Sequence, residues 1–138
     1  MAGLIPELYV SDLGQSLKFY VQAVGFCVRY DRPEERFAFL DLGDAELMLE
    51  QPTNHKRTWL LGELSFRFGR GVNFSITVPD VQATYIRMQQ QHPAWIVVPL
   101  EDRWYRQEQA EVGNRQFVTR DPDGYLLRLV QDLGVREA

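Results

Sequence analysis

The chain of 138 residues holds one cysteine and two histidines, and no apolar run approaches the roughly 20 residues of a membrane span. Cys27 alone excludes an intramolecular disulfide, and no CxxC or Cys/His cluster surrounds it. Between Phe26 and Val28 it reads as core packing in a strand. Positive charge is also scarce. Fifteen Lys and Arg against nineteen Asp and Glu give a net charge of −4, which argues against a phosphate-neutralising nucleic-acid surface. Residues 1–6 lack a positive stretch followed by an apolar segment, so no secretory leader is expected and a cytoplasmic location is.

What remains is ordinary globular material, with 45% apolar and 25% charged residues in a length that suits one domain. Leu4 to Val10 reads as a strand. Ser11-Asp12 then offers a helix cap, with Gln15 at capping-box spacing and Leu13, Leu17 and Val21 on one face, and Gly25 ends the helix. Phe26 to Tyr30, Phe37 to Leu40 and Ala45 to Glu50 are short runs separated by turn sequences. The order recurs. Val72 to Val78 is a strand, Pro79-Asp80 opens a helix to about Gln91, and strands are expected near Trp95 to Leu100, Gln116 to Thr119 and Tyr125 to Val130. Val10-Ser11-Asp12-Leu13 against Val78-Pro79-Asp80-Val81 anchors an internal repeat. The expected organisation is a first module over residues 4–51, a linker over 52–71 and a second module over 72–131.

Alternation adds a second signal. Leu8 and Val10 alternate with Glu7 and Tyr9, Leu47 and Leu49 with Glu46 and Glu50, and Phe74, Ile76 and Val78 with Asn73, Ser75 and Thr77. One face is apolar and packs under helices; the other is mixed and available to a ligand.

Val10-Ser11-Asp12-Leu13 with Ser16, Phe19, Tyr20, Gly25 and Phe26, followed far downstream by Phe117-Val118-Thr119-Arg120-Asp121-Pro122-Asp123-Gly124, resembles the vicinal oxygen chelate superfamily. That superfamily includes glyoxalase I, extradiol dioxygenases, fosfomycin resistance enzymes and bleomycin resistance proteins. The resemblance covers nearly the whole chain. It implies an α+β fold of two tandem βαβββ modules, forming a curved mixed sheet with a concave cleft and with helices on its outer face. It also implies a homodimer, because the family's clefts are commonly completed by a second subunit. Metal-bearing relatives bind one divalent ion through four side chains, one each from the first and last strands of both modules. Matched to those positions, this chain has Ile5, Met48, Asn73 and Arg128. A divalent cation wants carboxylate or imidazole, and a guanidinium would repel it, so no metal and no cofactor are expected. Glu46 and Glu50 flank Met48 on the same strand face, and a bulge there could offer a carboxylate.

The expected ligand-binding residues are Glu7, Tyr9, Glu46, Met48, Glu50, Trp59, Asn73, Ser75, Trp104 and Arg128, with no catalytic residue assigned. Glu7, Glu46 and Glu50 are read as ion-pairing with Arg128, His55 and His92 as solvated loop residues, and Phe66 and Phe68 as core lids. Trp59, Trp104 and Tyr105, flanked by Lys56, Arg57, Arg103 and Arg106, suit equally core lids and the wall of a half-wet groove. The favoured function is a non-enzymatic protein that binds an aromatic or cationic small molecule, resembling drug-sequestering bleomycin resistance proteins. A metal-dependent glyoxalase or dioxygenase with a displaced site, and a non-catalytic interaction module, are the alternatives. Neither nucleic acid nor membrane is an expected partner.

Overall fold

The computed structural model describes residues 2–53 and 58–138. Lys56, Arg57 and His55 lie outside them. The chain forms two compact units, one of residues 1–70 with Asp121–Tyr125, the other of Gly71–Arg120 with Leu126–Ala138. Each carries an open four-stranded mixed sheet, and the whole is an α+β fold of two βαβββ repeats.

In the first unit β1 (Glu7–Tyr9) leads into α1 (Leu13–Leu17), which runs on as a π-helical stretch over Lys18–Val24. Then follow β2 (Cys27–Arg32), β3 (Phe37–Leu42) and β4 (Ala45–Glu50), in the spatial order β1-β4-β3-β2. Asp12 starts the helix as expected, its carboxylate accepting from the Gln15 amide at 3.1 Å. Gly25 ends it in the left-handed conformation, φ 108°, which a side chain would strain. The helical stretch buries Ser16, Phe19, Tyr20, Ala23 and Val24, and the sheet answers with Leu8, Leu40, Leu47 and Leu49. Each such side chain removed from water contributes about 1.5–3 kcal/mol, so the apolar alternation specifies which face meets the helix.

The second unit repeats the plan with β5 (Asn73–Thr77), α2 (Val81–Gln91), β6 (Ile96–Gln107), β7 (Ala110–Arg120) and β8 (Leu126–Glu137), ordered β5-β8-β7-β6. Ile76, Val81, Met88, Phe117, Leu127 and Leu129 form its core. The repeat holds at the level of single hydrogen bonds. Val10 N–H donates to the Glu50 carbonyl at 2.9 Å, and Val78 N–H to the Val130 carbonyl at 2.9 Å. Leu13 N–H donates to Gln51 Oε1 at 2.9 Å, and Val81 N–H to Gln131 Oε1 at 3.1 Å. In both repeats the residue after the last strand pairing thus satisfies an orphan donor at the helix start.

Three expectations about local structure are corrected. The strands expected near Trp95 to Leu100 and Gln116 to Thr119 run much further: β6 and β7 form a long hairpin closed at Glu108 (φ 57°) and Gln109, with Arg115 and Asp102 paired across the strands at 2.8 Å. Its alternation is charged rather than apolar, and its turn lacks Gly or Asn, so the usual hairpin signals are missing. Cys27 is exposed, because β2 is an edge strand. Phe66 is exposed as well, while Phe68 is buried edge-on against Tyr125, their ring centres 6.0 Å apart.

No helix among the described residues is long and apolar enough to cross a membrane.

Candidate functional site

On the first sheet the face turned away from the helix is ordered by strand pairing into rows that cross all four strands. Glu7 pairs with Met48, Met48 with Phe39 and Phe39 with Tyr30; Tyr9 pairs with Glu50, Glu50 with Phe37 and Phe37 with Arg32. Partners in a register share a face, so Glu7, Tyr9, Glu46, Met48 and Glu50 stand together. Glu46 and Glu50 are buried, Glu7, Tyr9 and Met48 half-buried. Trp59 joins through its backbone N–H, which donates to the Tyr9 hydroxyl at 3.1 Å, and its side chain is exposed.

The aromatic part of this face lies on β2 and β3, where no candidate residue was expected. Tyr30 stacks on Phe39 at 5.1 Å with 14° between the rings, and Arg32 sits 4.1 Å over the Phe37 ring. Arg29, at the bulge between Val28 and Tyr30, lies 5.0 Å over the Phe39 ring and pairs with both Asp41 (2.8 Å) and Glu46 (3.1 Å). Glu46 is therefore paired within its own sheet. Burial works against its charge, but the Ala2 backbone N–H and Arg29 outweigh that and hold its carboxyl below the usual range. The alternation of Phe37 and Phe39 was the available signal. It was obscured because Ala38 and Leu40 are apolar too, so β3 reads as a continuous apolar run.

A short latch belongs to this unit. Tyr20 Oη donates to buried Asp121 Oδ2 at 2.7 Å, and the Asp123 and Tyr125 amides each donate to Asp121 Oδ1 at 2.9 Å. The Ser11 amide donates to Asp123 Oδ2 at 3.1 Å, and Tyr125 Oη to the Tyr9 carbonyl at 2.9 Å. Burial raises the Asp121 carboxyl to about 6, although the bonds it accepts pull the other way. Burial and the neighbouring Asp121 push the Tyr125 phenol up to about 12. These groups hold the end of β1 and the start of the helix that follows it.

On the second sheet Ser75 pairs with Arg128, Arg128 with Val118 and Val118 with Val98. Asn73 lies two residues before Ser75 on the same face, exposed like it. Trp104 does not join them. It pairs with Gly113, which falls with Phe117 in the alternation of β7, and it lies between that glycine and the guanidinium of Arg136, 4.0 Å above its ring. A Cβ at Gly113 would come within 2.7 Å of the indole, so the glycine permits the stack. His92 ends α2 and stacks on Trp95 at 4.1 Å, with Arg120 4.4 Å from the same indole; it is a packed side chain, not a solvated one.

The family's metal was tested against these residues. The positions in direct register are Glu7 with Met48 and Ser75 with Arg128; Ile5 and Asn73 stand two residues earlier. One carboxylate, a thioether, a hydroxyl and a guanidinium do not make a donor set for a hard or borderline cation. Among the described residues no three His, Cys, Asp or Glu side chains gather as a metal site would need.

A search of curated proteins returns no match. Among solved structures, a glyoxalase/bleomycin resistance protein/dioxygenase superfamily member from Vibrio splendidus 12B01 is 36% identical over 92% of this chain and 95% of its own, with a TM-score of 0.44. TioX from Micromonospora sp. ML1 is 24% identical over 96% of this chain and all of its own (100%), with a TM-score of 0.72. A protein of unknown function from Agrobacterium tumefaciens is 22% identical over 96% and 95%, with a TM-score of 0.71. The last two share the fold. A family model described as the Glyoxalase/Bleomycin resistance protein/Dioxygenase superfamily matches residues 5–129, a span that takes in both strand-helix repeats and the Asp121–Tyr125 turn, and to that superfamily this chain belongs.

Proposed function

We propose that this chain is a small-molecule binder of the superfamily that works without a catalytic metal. The observation that carries the reading is the pair of equivalent strand positions held by Met48 and Arg128, each in the register of its own sheet where a metal-bearing relative needs an anionic or imidazole donor. The first sheet supplies a face suited to an aromatic or cationic ligand. Tyr9 and Tyr30 give flat apolar surface backed by the buried Phe37 and Phe39, Met48 an adaptable one, and Glu7, Glu46 and Glu50 negative charge. A drug-sequestering role is one use of such a face.

The test is a thermal-shift and tryptophan-fluorescence screen of aromatic cations, with Trp59 beside Tyr9 as reporter. Ligands that raise the melting temperature should lose affinity about 30-fold in Tyr9→Ala, the loss of about 2 kcal/mol expected for a buried aromatic anchor. A screen in which no compound moves either signal, or a confirmed ligand indifferent to both Tyr9→Ala and Phe39→Ala, would refute the first-sheet face as the binding site.

A further inference from the structure

Two polar side chains on the second sheet each keep a buried atom without a partner. Arg128 Nε and Gln116 Oε1 are both shielded from solvent and find no hydrogen bond among the described residues. A buried donor or acceptor left unmade is costly, so a fold that keeps two on one face is poised to use them. They do share a face. Arg128 pairs with Val118 and Gln116 with Val130, which makes them diagonal neighbours across β7 and β8.

The orientation of the Gln116 amide follows from its partners. Its nitrogen donates to the Tyr105 hydroxyl at 2.7 Å and lies 3.3 Å from a Glu101 carboxylate oxygen. A carboxylate accepts only, so the amide nitrogen must face Glu101 and the oxygen must be the open atom. Arg128 is always charged and can only donate. The two open atoms thus ask for an acceptor beside a donor. Around them the floor is apolar, with half-buried Val118 and Val98 and buried Val130. Ser75, directly opposite Arg128, is exposed and leaves the edge open. An open donor and an open acceptor on neighbouring strands, beside apolar side chains, are what a ligand subsite supplies.

We infer that this face of the second sheet takes a planar carboxamide edge, a ring lactam above all, with its carbonyl on Arg128 and its N–H on Gln116 Oε1. The inference rests on the proposal that the protein is a binder, and it names the ligand chemistry of the second sheet. A cation is the wrong ligand here, since Arg128 would repel it. A carboxylate satisfies Arg128 but leaves Gln116 Oε1 facing a second acceptor, and an N-substituted lactam leaves it without a donor.

The probe is 2-quinolone, a neutral aromatic lactam, titrated calorimetrically into the full chain beside N-methyl-2-quinolone and quinoline. The parent lactam should bind one-to-one and the two analogues about tenfold more weakly, the scale of one hydrogen bond lost from a desolvated site. Arg128→Met should weaken the parent lactam at least tenfold. Gln116→Met should weaken it about tenfold while leaving the N-methyl compound unchanged, since that compound has no proton to give. Equal affinity of native protein for 2-quinolone and its N-methyl analogue would overturn the inference even if either variant fails to fold. So would no binding of 2-quinolone by a protein that binds aromatic cations, an outcome that leaves the proposed function standing. Binding of the lactam with the expected analogue ranking, in a protein for which the aromatic-cation screen is silent, would support the inference and remove the first-sheet reading alone.

Discussion

The two repeats are alike where they hold the chain together and unlike on the sheet face turned away from the helix. Asp12 and Asp80 cap their helices with the same bond at 3.1 Å, and Gln51 and Gln131, each just past the pairing with the repeat's first strand, accept from the equivalent helix-start donor. On the other face the first sheet carries stacked aromatics, carboxylates and two arginines from its edge strand; the second carries valines, Asn73, Ser75, Arg128 and Gln116. The strands of the second hairpin, 12 and 11 residues, are about twice the six of β2 and β3. Helix caps and core faces admit few solutions, whereas an outer sheet face is constrained only by burial and pairing, and there the repeats have diverged.

The turn between the last two strands of each repeat gives the largest contrast. Gly43 and Asp44 make a two-residue exposed turn, while Asp121 to Tyr125 form the buried latch on Tyr20. Asp121→Ala strands the Tyr20 hydroxyl and two amides, and should cost about 3–5 kcal/mol in urea unfolding. Asp44→Ala should stay within about 0.5 kcal/mol of the native protein. Comparable losses from both would break the contrast.

The same carboxyl sets a pH dependence. Its folded-state value near 6 lies above its unfolded one, so the native state holds the extra proton between them, and stability must fall as pH rises from about 4 to about 6. The group's share is about 3 kcal/mol. Denaturant titrations of native protein and Asp121→Asn across that range should show the slope in the first and its loss in the second. An unchanged slope would place the titration elsewhere.

A smaller effect sharpens the likeness. Gln51→Leu and Gln131→Leu each remove one acceptor from a helix start, and each should cost about 1 kcal/mol. A difference of more than about 1 kcal/mol between them would mean that the two contacts are not equivalent in energy.

Much of the shared part was legible in sequence, because caps and period-two alternation are local. The aspartates at 12 and 80 recur as helix caps, and the apolar parity of β1, β4 and β5 recurs in the burial of Leu8, Leu47, Leu49 and Ile76. The divergent part was less so. Phe37 and Phe39 were hidden in an apolar run, and Arg29 reaches its acids only because a bulge redirects it. Trp104 looked like a groove wall beside Tyr105, but adjacent strand residues point to opposite faces, and Gly113 draws the indole to the other one. His92 and Trp95 stack because Pro93 and Ala94 turn the chain tightly, a contact without a periodic signature.

Divergence of the ligand faces away from metal binding is the central claim, and calorimetric melting of metal-stripped protein with zinc, nickel, manganese or ferrous iron tests it most directly. A site that binds tightly adds about 2.7 kcal/mol at a hundredfold excess of metal over its dissociation constant. With Met48 and Arg128 in register with Glu7 and Ser75, no metal should give a saturable rise in melting temperature, and Glu7→Ala should melt alike with and without metal. A saturable one-to-one stabilisation that vanishes in Glu7→Ala, Glu46→Ala or Glu50→Ala would contradict the account and restore a metal-dependent enzyme.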